Sequence, residues 1–185
     1  FGMALALRKD GINVIPLVDE FKKVLGCIGQ DVDDYIPIYD TSFNGKELEY
    51  ITDCINKSWV SSTGQYVKRF EEKFSEYTGL DGCITTCNGS TALELAISLC
   101  DLGENDEVIA PSLTFASPVN AAIRSNAQIR LLDVDKENMC LTPEIIRNSI
   151  RKNTKVVIIV NLYGYPVNVE EVRSEIPENI FIIED

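Results

Sequence analysis

The chain has no histidine at all, so the commonest protein metal ligand is missing. Its six cysteines, Cys27, Cys54, Cys83, Cys87, Cys100 and Cys140, follow neither the paired spacing of a zinc site nor a disulfide framework. Cys83 and Cys87 are the nearest pair, and no second cluster completes a set of four ligands. No metal site is expected, and the thiols read as reduced or buried. Basic charge is also scarce: 17 Lys and Arg face 29 Asp and Glu, a formal net charge of −12. Nucleic-acid binders need clustered cations to displace counterions, so no nucleic-acid partner is expected. No apolar run approaches the roughly 20 residues that span a bilayer, so no membrane partner is expected either. The opening FGMALALRKDG is short, soon charged and without a cleavage site, unlike a signal peptide. A cytoplasmic location follows as the expectation. Phe1 is no initiator methionine and Asp185 closes an apolar run, so the chain reads as a piece of a longer protein.

What is present is a globular composition, 45% hydrophobic and 25% charged, long enough for one sizeable α/β domain. Residues 1–34 form one pattern. GMALALRKDGIN reads as a helix end stopped by Gly11, and VIPLVD and VLGCIG as two short strands joined by the polar EFKK turn. The acidic QDVDDY serves as a linker. From residue 35 a second pattern begins. Leu48, Ile51 and Ile55 fall at helical spacing, as do Val67, Phe70 and Phe74, with the WVSSTG turn between the two helices.

After Gly79 strands and helices alternate. The predicted order is strand CITTC, helix STALELAISLC, strand DEVIAP, helix SPVNAAIRS, strand QIRLLDV and helix TPEIIRNSI. Strand KVVIIVNLYG, helix VNVEEVRSE and strand NIFIIED complete it. Thr142 is the expected N-cap of the TPEII helix, with Pro143 at its first position. The alternation predicts an α/β fold, a mainly parallel sheet with helices on both faces, and the continuous apolar strands agree.

Ligands of such sheets bind at the carboxyl ends of the strands. In TTCNGSTALEL a strand runs through Asn88, Gly89, Ser90 and Thr91 into a helix. Exposed N–H groups, two hydroxyls and the helix dipole make an anion seat there, and Gly89 permits close approach. An ordinary N-cap explains the same residues. The turn is no Walker loop, since GxxxxGK[ST] is absent. Phe115 follows the next strand, placed either to lie against a planar ligand or to staple the following helix. In NLYGYPVN, Tyr163 and Gly164 read as a tight turn or, with Asn161, as the wall of a polar pocket. Asp185 is either a solvated strand end or a partly buried carboxylate in need of a cation, such as a protonated pyridine nitrogen.

In order and spacing these pieces resemble the DegT/DnrJ/StrS-type sugar aminotransferases, from about Ile36 to Asp185. IPIYDTSFNGKELEYI, WVSSTGQYVKRFEEKFSEYTG, NGSTALELAI, GENDEVIAPSLTFASPVNAAI, LLDVD, VNLYGYPVN and IIED follow in family order. The resemblance implies the large domain of a fold-type-I transferase dependent on pyridoxal 5′-phosphate (PLP), here truncated. It also implies transamination of a keto nucleotide-sugar with a donor such as glutamate, in a homodimer of polysaccharide biosynthesis. By the same resemblance Gly89, Ser90 and Thr91 seat the PLP phosphate, Phe115 stacks on the ring and Asp185 pairs with the ring nitrogen. Ser61 and Ser62 lie near the substrate side. The cofactor-bearing lysine falls beyond Asp185 in family order, so no catalytic residue is assigned in this chain. Asn88 and Ser90 stand where Ser and Thr are commoner, and Asn161 replaces a frequent histidine. A sugar 3-dehydratase, with histidine in place of that lysine, is the alternative within PLP chemistry. A non-catalytic truncated or regulatory module is the alternative outside it. Residues 1–34 resemble the second half of a CBS domain, with VIPLVDEFKKVLGCIG as its strand pair, though Gly29 and Val32 occupy the nucleotide-contacting positions.

Overall fold

A computed structural model describes residues 14–18, 24–29 and 41–185. The helix expected in GMALALRKDGIN and the QDVDDY linker lie outside these residues. The described chain falls into two compact units, one ending at Val60 and the other beginning at Ser61.

In the first unit, β1 (Val14–Val18) and β2 (Val24–Gly29) pair antiparallel, Val14 opposite Gly29, with a register irregularity between Leu17 and Val18. Helix α1 (Glu47–Asn56) carries Glu47 and Glu49 in its first turn, where the dipole favours negative charge. The Glu47 carboxylate reaches back to accept the Gly45 N–H at 2.9 Å. The apolar spacing that predicted this helix is real, yet Leu48, Ile51 and Ile55 are all exposed.

The second unit opens with α2 (Gln65–Thr78), which ends on Gly79 in the left-handed conformation, φ 72°. The Gly79 N–H donates to the Ser75 carbonyl at 2.9 Å, the single-bond form of a glycine stop. Then follow α3 (Gly89–Ser98), β3 (Glu107–Pro111), α4 (Ala116–Arg124) and β4 (Gln128–Leu132). The remainder is α5 (Pro143–Ser149), β5 (Thr154–Ile159), α6 (Val169–Glu175) and β6 (Phe181–Glu184). The four strands form one parallel sheet in the order β4-β3-β5-β6. Thr142 starts α5 as expected, accepting the Ile145 N–H at 3.2 Å with Pro143 behind it, and Asn168 caps α6 through the Glu171 N–H at 3.1 Å.

Both sheet faces are covered, and the alternation of side chains along a strand divides the core in two. Val108, Ala110, Val156, Ile158 and Ile183 point to the face packed by Leu93 and Ile97 of α3 and Ala121 and Ala122 of α4. Ile109, Val157 and Ile159 point to the other, packed by Ile146 of α5 and Val172 of α6. Helices therefore lie on both faces, as the continuous apolar strands imply. The strand expected at CITTC does not form: residues 83–87 are irregular. An apolar run becomes a strand only beside a partner, and no described strand pairs with it. Among the described residues, no helix is long and apolar enough to cross a membrane.

Candidate functional site

In a parallel sheet each connecting helix returns from the carboxyl edge to the amino edge. Helices α3 and α4 lead into β3 and β4, so their N-termini share the carboxyl edge with the residues that end the strands. The structure shows this directly: the hydroxyl oxygens of Ser90 and Ser117, each the second residue of its helix, are 2.7 Å apart. Further along, Arg124 of α4 pairs with Glu94 of α3. Two helix ends, each carrying partial positive charge, thus face the same place.

The anion seat is narrower than its sequence suggested. Asn88 caps α3 by accepting the Thr91 N–H at 2.9 Å and the Thr91 hydroxyl at 3.1 Å. The ordinary N-cap is therefore realised at Thr91, whose N–H is taken. The N–H groups of Gly89 and Ser90, first in the helix, have no acceptor within it. A Cβ placed on Gly89 would meet nothing within 4 Å, so the space beside this residue is open and protein packing does not demand the glycine.

Phe115 is the N-cap residue of α4, makes no side-chain cap and is 77% exposed. A stapling ring would be buried, so this exposure speaks against that reading and leaves an aromatic face open two residues before Ser117. The neighbouring Thr114 hydroxyl is buried without a hydrogen-bond partner.

Asp185 extends the ladder past β6. Its N–H donates to the Ile159 carbonyl at 2.8 Å, and its carbonyl accepts from Asn161 N–H at 3.1 Å. By area the residue is exposed, yet the protein around its carboxyl displaces enough water to push its pKa up. Among the described residues it has no ion-pair partner. Helix α3 contacts β6, and Leu93 and Ile183 share one core cluster, so the seat's helix packs on the strand that leads into Asp185. Ser61 and Ser62 lie in an exposed turn, where the Ser61 and Thr63 hydroxyls are 3.3 Å from each other.

Asn161 turns out to be a structural residue. Its side chain donates to Glu184 Oε1 at 2.7 Å and accepts the Val167 N–H at 3.0 Å, closing the loop between β5 and α6. Tyr163 and Gly164 follow in left-handed conformations, φ 54° and 82°, which supports the tight-turn reading. Tyr163 is exposed.

Sequence reasoning passed over Ser117, which no motif marks. Its only signal was position: a hydroxyl two residues after an aromatic at a strand's carboxyl end. Also missed was Glu107, buried at the opposite edge and held there by Arg130, Arg151 and Thr154.

Comparison with known proteins adds an independent line. The model of the DegT/DnrJ/EryC1/StrS aminotransferase family matches residues 42–185. A GDP-perosamine synthase of Escherichia coli O157:H7 is 39% identical over 152 residues, 82% of this chain and 42% of that protein. The solved aminotransferase of Psychrobacter cryohalolentis is 29% identical and superposes with a TM-score of 0.72, covering 78% of this chain and 37% of its own. An E. coli GDP-4-keto-6-deoxy-D-mannose-3-dehydratase, solved with bound hydrated PLP, shares the fold at a TM-score of 0.73 with 24% identity, covering 80% and 40%. The chain spans about two fifths of the length of these proteins.

Proposed function

The chain belongs to the DegT/DnrJ/EryC1/StrS aminotransferase family, and on that premise we propose that it is the cofactor-holding part of a PLP-dependent nucleotide-sugar aminotransferase. The observation that carries the proposal is the meeting of the α3 and α4 N-termini at Ser90 and Ser117, with the exposed Phe115 ring two residues before Ser117. A phosphorylated aromatic ring needs an anion seat, a face to lie on and an acid for its nitrogen. Gly89 and Ser90, Phe115 and Asp185 are those three groups, and the open space at Gly89 leaves room for a phosphate.

Bound PLP supplies an electron sink, provided its ring nitrogen stays protonated. The residues of this chain supply the rest. Gly89 and Ser90 N–H groups hold the phosphate, aided by the dipole of α3. The exposed Phe115 ring would give the aromatic ring of PLP a face to lie on. The Asp185 carboxylate, lacking an ion-pair partner, would accept a charge-assisted hydrogen bond from the ring N–H and so favour the protonated nitrogen. Thr91 acts one step back, its N–H and hydroxyl holding the Asn88 cap that starts the helix.

The substrate reading is a keto nucleotide-sugar with an amino acid such as glutamate as donor. The E. coli relative is named for a GDP-linked amino sugar, which favours transamination over the dehydratase alternative at 39% identity. From the family resemblance the full protein works as a cytoplasmic homodimer. Residues 1–34 are proposed as the second half of a CBS domain, supported by the antiparallel pairing of β1 and β2, and 35–185 as the transferase part.

The test is a binding titration of the chain with PLP and with pyridoxal, which lacks the phosphate. PLP is expected to bind more tightly, and Asp185→Asn to weaken it. Equal binding of the two ligands by the native chain would refute the anion seat.

A further inference from the structure

We propose that Ser117 is a positioning residue of the anion seat, holding the Ser90 hydroxyl so that its proton is directed at a phosphate monoester. This rests on the PLP reading above and extends it to a residue that no motif singles out.

The Ser90 and Ser117 oxygens are 2.7 Å apart, the usual separation for an O–H···O bond, and either can donate. The pair holds two protons and uses one between its oxygens, so one O–H is left to point outward. Without an anion, the two arrangements compete. An anion seated before the Gly89 and Ser90 N–H groups selects one of them: Ser117 donates to Ser90, and Ser90 donates to the anion. Hydrogen bonds in such a chain polarise one another, so the Ser90 O–H becomes a better donor than an isolated serine's.

The helix context supports this division of labour. Ser90 is exposed on α3, where a lone hydroxyl would turn freely among rotamers. Ser117 sits in the first turn of α4, immediately before the buried Pro118, whose ring fixes the backbone there. The stiffer end therefore steadies the freer one. Pro118 also lacks an N–H, so one fewer donor is left unsatisfied at the uncapped start of α4.

The experiment measures the affinity of PLP and of pyridoxal for the whole chain in five forms: native, Ser90→Ala, Ser117→Ala, the double variant and Ser117→Thr. Loss of one hydrogen bond's worth of positioning predicts that Ser117→Ala weakens PLP by about three- to tenfold. Pyridoxal binding and thermal midpoint should not move. In the Ser90→Ala background, removing Ser117 should change PLP affinity little, and Ser117→Thr should restore it. Native-like PLP binding by Ser117→Ala would overturn the role. So would an equal loss for pyridoxal, or the same loss with Ser90 already gone, because each means that Ser117 does not act through Ser90. A native chain with no preference for PLP over pyridoxal would instead bring down the cofactor reading, and this role with it.

Discussion

Arg130 grips Glu107 with two side-chain bonds, Nε at 2.9 Å and Nη2 at 2.8 Å, at the amino edge of the sheet. Glu107 is 3% exposed and also accepts the Thr154 hydroxyl at 2.7 Å, so one carboxylate ties β4, β3 and β5 together. Removing it strands Arg130 beside the core. Glu107→Ala is expected to cost about 3–5 kcal/mol of stability, measured by denaturant unfolding. A loss below 1 kcal/mol would mean the clamp is replaceable by water.

The same group sets an acid limit. Burial alone would raise the Glu107 pKa, but the bonds from Arg130 and Thr154 and the charges of Arg130 and Arg151 outweigh it and bring it below its ordinary 4.5. Its contribution is therefore complete above the ordinary value and is lost as pH falls through the lowered one. Unfolding midpoints between neutral pH and strong acid should fall less steeply in Glu107→Gln than in the native chain.

Asp185 has the opposite sign. Burial raises its pKa above the ordinary 3.8, so the fold is favoured by the protonated form and loses stability as pH rises from there through the raised value. Asp185→Asn should be at least as stable as the native chain at neutral pH while binding PLP more weakly. A clear destabilisation at neutral pH would show that the carboxylate serves the fold rather than a ligand.

Glu71 of α2 accepts both the N–H and the hydroxyl of Thr85, at 2.9 and 2.8 Å, through one oxygen. The backbone bond from Thr85, then its hydroxyl, lowers the Glu71 pKa. The tie is therefore present above the ordinary carboxylate value and fades as pH falls through the lowered one. Amide exchange at Thr85 should accelerate in Glu71→Ala and stay near native in Glu71→Gln, which keeps an acceptor oxygen. Unchanged exchange in Glu71→Ala would show that this carboxylate does not hold the Thr85 backbone.

Gly79 adopts φ 72°, and a Cβ there would meet nothing within 4 Å. The cost of Gly79→Ala is thus conformational alone, about 1–2 kcal/mol, with Gly79→Asn losing less. Equal stability of Ala and Gly would show that α2 stops elsewhere.

Much of this was legible in the residues because it is local. Thr142 with Pro143, Gly79 after its helix, and the apolar runs of β3 and β5 are set by neighbours a few positions away, and each appears where its chemistry requires. The start of α3 and the places of Phe115 and Asp185 at strand ends belong to the same class. Contacts across many residues were not legible. Whether CITTC would form a strand depended on a partner, and 83–87 has none among the described strands. The Ser90–Ser117 bond, the Glu107 clamp and the hold of Glu71 on Thr85 each join residues that only the stacking of helices on the sheet makes neighbours. A chain's own sequence determines what each segment can become; which side chains share a proton or a charge is decided when packing removes the water between them.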